Sequence, residues 1–268
     1  MLAAQRNHVR LSGQGQTTII FAHGYGCDQN MWRLVAPAFE ERFRVLLFDY
    51  TGCGRSDLSQ YDPVRYGSLE GYAQDVLDIA AELDLRQTVF VGHSVSAMIG
   101  ILAANRQPER FGHLILIGPS PCYLNDEAYQ GGFTRLQLED LLDVLDSNHL
   151  GWSGSMAPVI MGNPDRPELS EELAASFCRM RPDIASRVAR VTFLSDCRDE
   201  LPRVALPTLI LQCSQDAIAP EVVGRYVQRM IPRSHMVQLA ATGHCPNLSA
   251  PEETIVAIQR YLDSHVTT

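Results

Sequence analysis

Short, continuously apolar runs alternate with longer stretches of helical periodicity along most of this chain. Continuous apolar runs are typical of strands that are covered on both faces. Strands that alternate with helices form a mostly parallel sheet flanked by helices, so the predicted fold class is α/β. The predicted strands span residues 17–22, 45–49, 88–91, 113–117, 208–212 and 236–239, and the clearest predicted helices span 69–83, 95–105, 221–230 and 252–262.

The alternation is interrupted once, by a stretch that contains only helical patterns. Within it, Thr134 and Gln137 have the spacing of a capping box, and leucines follow at helical intervals. A helical insertion at the carboxyl edge of a parallel sheet lies where such sheets bind ligands, which makes it a candidate lid. We therefore predict a core of residues 1–120 and 199–268, with residues 121–198 as a helical lid.

The charged residues exclude several classes of function. The 268-residue chain has a formal net charge of −9, so a broad basic face for nucleic acid is not expected. All 22 basic residues are arginine and none is lysine. Without lysine there is no Schiff-base nucleophile, no pyridoxal-phosphate anchor and no phosphate-loop lysine. Aldolases, aminotransferases and conventional nucleoside triphosphatases are thereby excluded.

The cysteines and the hydropathy pattern indicate the setting in which the protein works. The seven cysteines are scattered and form no CxxC pair, so neither a disulfide framework nor a zinc site is expected. No other cluster has metal-ligand spacing and no GxGxxG motif opens a helix, so we expect no metal and no cofactor. The N-terminus lacks the pattern of a signal peptide and no run is long enough to span a membrane, so we expect a cytoplasmic protein without a membrane partner.

The strongest catalytic signal is the motif Gly92-His93-Ser94-Val95-Ser96, which joins a predicted strand to a predicted helix. This is the context of a nucleophile elbow, in which a tight turn lifts one hydroxyl above the sheet. Gly92 is the small residue required two positions before the nucleophile, whereas Ser96 replaces the usual glycine two positions after it. Because of that replacement, the motif alone does not separate an elbow from an ordinary strand–helix turn. Ser94 is the candidate nucleophile.

Two further residues follow strands in the order that this topology requires. A serine hydroxyl needs a positioned base, and in this topology the acid and the histidine follow the serine along the chain. Asp216 comes after the predicted strand 208–212, and His244 comes after the predicted strand 236–239. Because the carboxyl ends of parallel strands meet at one edge of the sheet, Ser94, His244 and Asp216 are predicted to converge as nucleophile, base and acid.

A glycine-containing turn supplies the remaining element of a hydrolase site. The segment His23-Gly24-Tyr25-Gly26 directly follows the first predicted strand. Such a turn can point a backbone N–H at the carbonyl oxygen under attack. We assign this oxyanion donor to Tyr25 and the second donor to Val95, the residue after the candidate nucleophile. Together these elements predict a serine hydrolase site.

Other residues compete for these roles. Asp49 and Asp57 lie in a glycine-rich loop and could in principle be the acid, although a structured loop is the favoured interpretation. Cys245 adjoins the candidate base, but no cysteine occupies the elbow, so a packing role is favoured over a thiol mechanism. His23 and His93 flank the site and are expected to brace its loops rather than to act as bases.

With these residues in place, the sequence resembles the α/β-hydrolase superfamily, and within it the RsbQ-type bacterial stress regulators and the plant karrikin and strigolactone receptors. The resemblance covers nearly the whole chain, and the serine at position 96 is itself characteristic of that group. It is carried by the segments 23–26 (HGYG), 49–57 (DYTGCGRSD), 92–96 (GHSVS), 119–126 (PSPCYLND), 129–133 (YQGGF), 181–185 (RPDIA), 195–196 (SD) and 243–246 (GHCP).

The resemblance implies a four-helix lid over a narrow apolar pocket that has the catalytic triad at its base. By position, the residues that would line this pocket are Tyr25, Phe133, Trp152, Met156 and Phe193. Met156 stands where relatives often carry phenylalanine, which affects the shape of the ligand. In the bacterial relatives the hydrolase works with a phosphatase to switch on a general stress sigma factor, so the resemblance also implies a phosphatase partner.

Two classes of function stay open on the sequence alone. One is a regulator that hydrolyses or binds a small apolar ester or lactone-like ligand and signals to its partner. The other is a metabolic carboxylesterase or lactonase with no signalling partner. Turnover distinguishes them, because a regulator is expected to be slow on every ester. A haloalkane dehalogenase is excluded, because its nucleophile must be a carboxylate and position 94 is serine.

Overall fold

A seven-stranded, mostly parallel sheet forms the centre of the molecule. The computed structural model describes residues 1–266. The strands are β1 Arg10–Ser12, β2 Thr18–Ala22, β3 Arg44–Leu47, β4 Thr88–His93, β5 Phe111–Ile117, β6 Thr208–Gln215 and β7 Ser234–Thr242. Their order across the sheet is β1-β3-β2-β4-β5-β6-β7. The edge strand β1 is antiparallel to β3, and all other neighbours are parallel.

The α/β class and the six predicted strands are confirmed, with shifts of up to three residues at the strand ends. The prediction missed only β1. This strand pairs with β3 from Arg10 opposite Leu47 to Ser12 opposite Val45. All three of its residues are exposed. An exposed edge strand of this length carries no apolar run, so the sequence pattern gave no reason to expect it.

Alternate residues of the central strands pack into two separate cores, one on each face of the sheet. In β2, Ile20 belongs to one core and Ile19 to the other. Phe90 and Val89 of β4 divide in the same way. Every residue of β2 and β4 is buried. Both faces of these strands are covered by other structure, which is why their sequences are continuously apolar.

Helices cover both faces of the sheet. They are α1 Ala3–Arg6, α2 Leu69–Glu82, α3 Val95–Arg106, α4 Arg135–Ser147, α5 His149–Met161, α6 Pro167–Cys178, α7 Pro182–Phe193, α8 Glu221–Met230, α9 Pro246–Ser249 and α10 Pro251–His265. The four clearest predicted helices correspond to α2, α3, α8 and α10. None of the helices within residues 1–266 is long and apolar enough to cross a membrane.

Helices α4–α7 follow one another between β5 and β6 and are called the insertion below. Helix α4 begins at the predicted capping box. The Gln137 N–H donates to the Thr134 hydroxyl at 3.3 Å, and the Thr134 N–H donates to the Gln137 side-chain oxygen at 2.8 Å. Leu138 and Leu141 then begin the buried face of this helix. The local sequence therefore fixes both the start of α4 and the face that it buries.

The two ends of the insertion are joined where they leave the sheet. Cys122 forms an isolated antiparallel bridge with Asp196. Beside that bridge, the Cys197 N–H donates to the Pro121 carbonyl oxygen at 2.7 Å. The chain thus enters and leaves the insertion through one paired neck, so the four helices have a single covalent connection site to the core.

The parallel strands carry the predicted site residues to one edge of the sheet. The turn that contains Tyr25 follows β2, and Ser94 directly follows β4. Asp216 directly follows β6, and His244 comes two residues after the end of β7. Because parallel strands end at a common edge, residues far apart in sequence meet there.

We expect Gly92→Ala to destabilise the protein, because a Cβ atom there would lie 2.5 Å from the Ser96 carbonyl oxygen, a backbone atom that cannot rotate away. Overpacking of this kind typically costs about 1–3 kcal/mol. Gly154 inside α5 is the matched control, since a Cβ atom there meets nothing within 4 Å. Gly154→Ala should stabilise the helix by up to about 1 kcal/mol. Urea unfolding measures both changes, and equal free energies of unfolding would contradict the expectation.

Candidate active site

Ser94 lies in a strained turn between β4 and α3. Its φ of 59° and ψ of −125° form a backbone conformation that residues other than glycine rarely adopt. The Ser94 N–H donates to the Ile117 carbonyl oxygen of β5 at 2.8 Å, which anchors the turn to the neighbouring strand. Gly92 permits the close approach of the α3 backbone to β4. The turn therefore has the geometry of a nucleophile elbow.

Ser94, His244 and Asp216 form a continuous hydrogen-bonded chain. The Ser94 Oγ lies 2.8 Å from the His244 Nε2, and the His244 Nδ1 lies 2.7 Å from the Asp216 Oδ2. The three residues are only 6%, 4% and 7% exposed. These distances fit a serine hydroxyl that donates to Nε2 and an Nδ1–H that donates to the carboxylate. The structure thus brings together the three residues that the sequence singled out.

Asp216 is held as an ionised acceptor. Its Oδ1 accepts hydrogen bonds from the backbone N–H of Ile218 at 2.8 Å and of Ala219 at 2.9 Å. Burial opposes ionisation, but the His244 imidazole and these hydrogen bonds outweigh it and lower the pKa of Asp216 below its usual value. An ionised Asp216 can orient the His244 ring and stabilise the positive charge that the ring acquires during reaction.

The two histidines that flank the site make hydrogen bonds to its loops. The His93 Nε2 donates to the main-chain oxygen of His244 at 2.7 Å. The His23 Nε2 accepts from the Tyr50 N–H at 3.1 Å, and the His23 Nδ1 donates to the Gly24 carbonyl oxygen at 2.9 Å. Burial lowers the pKa of His93 to about 3 and also lowers the pKa of His23. Both rings are therefore neutral at neutral pH.

The backbone amides of Tyr25 and Val95 lie on either side of the elbow. Val95 is the first residue of α3, and Tyr25 lies in the turn after β2. A Cβ atom on Gly24 would lie 3.3 Å from the Ser94 Cβ, so this turn passes directly beside the nucleophile. Within residues 1–266, neither amide N–H donates to a backbone or side-chain acceptor. Two uncommitted donors next to a serine are what an oxyanion hole requires.

The alternative residues have other partners. Asp49 is buried and accepts hydrogen bonds from two backbone amides of the surrounding loops. Asp57 accepts from the Ser59 N–H and caps a short helical turn. Burial raises the pKa of the Cys245 thiol well above its usual value, so this thiol stays protonated. In the described part of the chain, no three histidine, cysteine, aspartate or glutamate side chains are grouped so that they could hold a metal ion.

Four of the five predicted pocket residues form one aromatic cluster beside the elbow. The centroid of the Tyr25 ring lies 5.9 Å from that of Trp152 and 6.2 Å from that of Phe193. The Phe133 ring lies 6.5 Å from the Phe193 ring. Met156 is half-buried and packs against the same core, but it is not part of the aromatic cluster.

The sequence prediction omits Phe177, a residue of α6 that belongs to this cluster. Its ring lies 5.8 Å from that of Tyr25 and 5.5 Å from that of Trp152. A Cβ atom on Gly26 would lie 2.2 Å from the Phe177 ring, so the glycine of the oxyanion turn makes room for it. Helical periodicity marks Phe177 as buried but gives no information about which residues it meets.

Tyr123 is a second omission. It is fully buried between the sheet and the insertion, and its ring lies 5.1 Å from that of Phe193. Burial raises the pKa of the Tyr123 phenol, and the neighbouring Ser94 hydroxyl partly offsets that rise. Tyr123 comes shortly after β5, so the rule that functional residues follow strands at their carboxyl ends could have found it.

A small cavity lies beside the oxyanion turn, and a separate, wider groove lies at the insertion. The cavity next to the oxyanion amides has a volume of about 20 Å³ and is lined in part by Tyr25, Val95 and Thr192. A groove of about 580 Å³ lies between α4 and α7, where leucines alternate with charged side chains. Phe193 lines this groove, and its ring packs against that of Tyr25, which lines the small cavity.

The sequence and the fold are similar to those of known proteins. The model of the alpha/beta hydrolase family matches residues 19–258. The chain belongs to this family. It is 39% identical to a strigolactone esterase of Arabidopsis thaliana, over 95% of this chain and 96% of that protein. It is 36% identical to a karrikin insensitive 2 receptor of Petunia hybrida, over 97% of each chain. A hydrolase of Oleispira antarctica has a TM-score of 0.95 and 40% identity, over 97% of this chain and 96% of that one.

These similarities confirm part of what the sequence predicted. The α/β-hydrolase fold and the resemblance to the plant karrikin and strigolactone hydrolases are confirmed. The aligned regions include nearly all of each chain, so the similarity extends through the insertion as well as the sheet. The closer resemblance to RsbQ-type regulators stays a prediction.

We expect activity on a short p-nitrophenyl ester to fall at acidic pH, because a protonated His244 cannot accept the serine proton. His93 and His23 should not contribute to this loss of activity at acidic pH, since burial lowers the pKa of both and keeps them neutral. The fall in activity with decreasing pH should therefore reflect the protonation of a single group. The measurement is kcat/KM against pH, and a profile that is flat from about pH 5 to pH 8 would argue against His244 as the base.

Proposed function

We propose that the protein is a cytoplasmic serine hydrolase that cleaves a small apolar ester or lactone and acts as an RsbQ-like positive regulator of a stress response, with a phosphatase as its partner. The hydrogen-bonded chain of Ser94, His244 and Asp216 carries the chemical part of this proposal. The regulatory part is supported by the similarity to a karrikin receptor and a strigolactone esterase over nearly the whole chain.

The reaction would begin with attack of the Ser94 Oγ on the substrate carbonyl carbon. The hydroxyl proton passes to the His244 Nε2, and the carbonyl oxygen becomes an oxyanion that accepts hydrogen bonds from the Tyr25 and Val95 amides. As the tetrahedral intermediate collapses, His244 gives the proton to the leaving alkoxide, which departs as an alcohol. The acyl group stays bound to Ser94 as an ester.

Water completes the cycle. The neutral His244 removes a proton from a water molecule, whose oxygen attacks the acyl carbon of the Ser94 ester. The second oxyanion occupies the same pair of amides. When it collapses, the Ser94 Oγ leaves and takes the proton back from His244, so the enzyme is restored and a carboxylic acid is released. For a lactone, the acid and the alcohol are parts of one product.

The size and polarity of the site support a small, uncharged acyl group. A cavity of about 20 Å³ beside the amides holds little more than a water molecule without side-chain movement. It is lined by Tyr25, Tyr50 and Tyr72, and aromatic walls of this kind favour apolar ligand surface at about 25 cal/mol per Å² buried. The wider groove beyond Phe193 is the side on which the rest of the ligand would lie.

Direct contacts between the insertion and the His244 loop support the signalling part. The His244 N–H donates to the Ile160 carbonyl oxygen of α5 at 2.8 Å. The Asn163 side chain, just beyond α5, donates to the Thr242 carbonyl oxygen at 3.1 Å. A Cβ atom on Gly243 would lie within 2 Å of a carbonyl oxygen of α5, so the two backbones are in contact. A ligand that moves α5 would therefore also move the catalytic base.

This linkage gives the proposed regulator a physical basis. If the insertion has two arrangements, with and without ligand, it presents two surfaces to a partner protein, and a partner that prefers one of them responds to occupancy. A differential affinity of about 1–3 kcal/mol is enough for a useful response. Because thermodynamic coupling is reciprocal, the bound partner would in turn change the affinity for ligand.

We expect Ser94→Ala, His244→Ala and Asp216→Ala each to lower kcat on a short p-nitrophenyl ester by at least ~10³ while the fold is retained. Members of a triad act as a unit, so a double variant should lose little more than a single one. Circular dichroism confirms the fold of each variant. A folded Ser94→Ala that keeps more than roughly a tenth of the wild-type activity would show that Ser94 is not the nucleophile.

The regulatory proposal is tested in cells with a general stress-response reporter. The gene is deleted and then restored as wild type, Ser94→Ala, Leu136→Asp or Val64→Asp. Leu136 is 67% exposed on α4, whereas Val64 is 88% exposed on a loop outside the insertion, so Val64→Asp is the matched control. We expect the response to be lost in the deletion, in Ser94→Ala and in Leu136→Asp, although Leu136→Asp should still hydrolyse test esters. Val64→Asp should restore it.

The same experiment identifies the alternative. If the deletion leaves the reporter unchanged while a cell extract stops consuming an ester, the protein is a metabolic carboxylesterase or lactonase without a signalling partner. Loss of the response in Val64→Asp as well would mean that any charge on the surface disturbs the protein, and the α4 surface would then have no special role.

A further inference from the structure

Ser96, two positions after the nucleophile, makes contacts that glycine could not make at this place. Ser96 is the second residue of α3 and is completely buried. Its hydroxyl donates a hydrogen bond to the main-chain oxygen of His23, in the turn after β2. Because its only proton is used there, the Tyr50 hydroxyl, 3.1 Å away, donates to the Ser96 Oγ. Three separate segments of the chain meet at this one side chain.

From this contact the network continues through His23 into the oxyanion turn. The Tyr50 N–H donates to the His23 Nε2 at 3.1 Å, which leaves the ring proton on Nδ1. The Nδ1–H then donates to the Gly24 carbonyl oxygen at 2.9 Å. Acceptance at Nε2 requires a neutral imidazole, and burial of the ring favours that form. Tyr50 thus contacts this network twice: its hydroxyl meets Ser96 and its backbone N–H meets His23.

The Gly24 carbonyl belongs to the same peptide unit as the Tyr25 N–H. None of the peptide bonds in the described chain is cis. In a trans peptide the C=O and the N–H point in opposite directions. Holding the Gly24 oxygen against the His23 ring therefore turns the Tyr25 N–H away from that ring. The Cys27 N–H also donates to the Gly24 oxygen, at 3.3 Å, so the His23 side chain and the turn together set the direction of this proposed oxyanion donor.

We infer that Ser96 is a positioning residue: its hydroxyl ties α3, which carries the Val95 N–H, to the turn that carries the Tyr25 N–H, and so fixes the two oxyanion donors relative to each other. This inference rests on the proposed serine hydrolase function. Donors that are aligned before the reaction stabilise a developing oxyanion without reorganisation. With glycine at position 96, the His23 carbonyl would lose the partner that joins the two halves of the oxyanion hole.

Positioning can be separated from a purely structural role by its kinetic signature. The oxyanion exists only near the transition state, so misaligned donors lower kcat and leave KM nearly unchanged. They also weaken a boronic acid inhibitor, because the Ser94 Oγ adds to boron and forms a tetrahedral anion that resembles the transition state. A hydroxyl that only satisfies a buried carbonyl would change the stability of the fold without this pattern.

The principal experiment compares Ser96→Ala with wild type on a short p-nitrophenyl ester. We expect kcat to fall about tenfold or more, KM to stay within about twofold, and the affinity for phenylboronic acid to fall by about the same factor as kcat. Thr88→Val is the matched control. Thr88 is buried at the opposite end of the strand that leads to Ser94, and its hydroxyl donates to the Arg110 carbonyl oxygen at 3.0 Å. This variant should leave all three quantities unchanged.

A second variant tests the same network if Ser96→Ala does not fold. Tyr50→Phe removes the hydroxyl that donates to Ser96 but leaves Ser96 in place. We expect a smaller fall in kcat, again with little change in KM. If both variants fold, the double variant should lose less than the product of the two single losses, because the Tyr50 hydroxyl acts through Ser96.

The outcomes distinguish the two proposals. An inactive Ser94→Ala beside a folded Ser96→Ala with unchanged kcat overturns the role of Ser96 and leaves the hydrolase proposal standing. Equal losses in kcat and in substrate affinity, or unchanged binding of phenylboronic acid, also overturn it. If only Tyr50→Phe folds, an unchanged kcat in that variant overturns the role of Ser96. A fully active Ser94→Ala overturns the proposed function itself.

Discussion

The left-handed backbone at Ser94 is the conformation on which the site depends. A non-glycine residue held in such a conformation typically costs about 1–3 kcal/mol and persists only when its surroundings over-determine it. Here a hydrogen bond to Ile117 anchors the turn, and Gly92 allows the Ser96 backbone to approach the strand closely. The same turn starts α3, so the strain places the serine hydroxyl and the Val95 amide together.

Each of the buried titratable groups around this turn described below holds a single protonation state at neutral pH. Asp216 is ionised because the His244 imidazole and two backbone amides outweigh the effect of burial. His93 and His23 are neutral because burial lowers the pKa of both, and each ring uses its proton in a hydrogen bond to a backbone oxygen. Hydrogen bonds in a buried site are stronger than in water, so these contacts hold the loops, and in the described chain the His93 Nδ1 is left without a partner. The loops around Ser94 are therefore held by side chains that do not titrate in the neutral range.

The insertion is more than a cover for the pocket. It supplies Trp152, Phe177 and Phe193 to the aromatic cluster beside Tyr25. It also supplies the backbone carbonyl that holds the N–H of His244. Ligand contacts and the position of the base are consequently determined by the same four helices. An enzyme built in this way can pass information from its pocket to its surface, since a movement of the helices affects both.

The sequence by itself determined the α/β class, six of the seven strands, the start of α4, and the order of the serine, the aspartate and the histidine. These features depend on local patterns: apolar runs, capping residues, and the rule that parallel strands end at one edge. Strand β1 was not predicted, because an exposed edge strand carries no such pattern. Only the tertiary structure decided that Phe177 joins the aromatic cluster and that Ser96 reaches His23. These contacts join residues distant in sequence, and their partners follow from how whole elements pack, which no local pattern records.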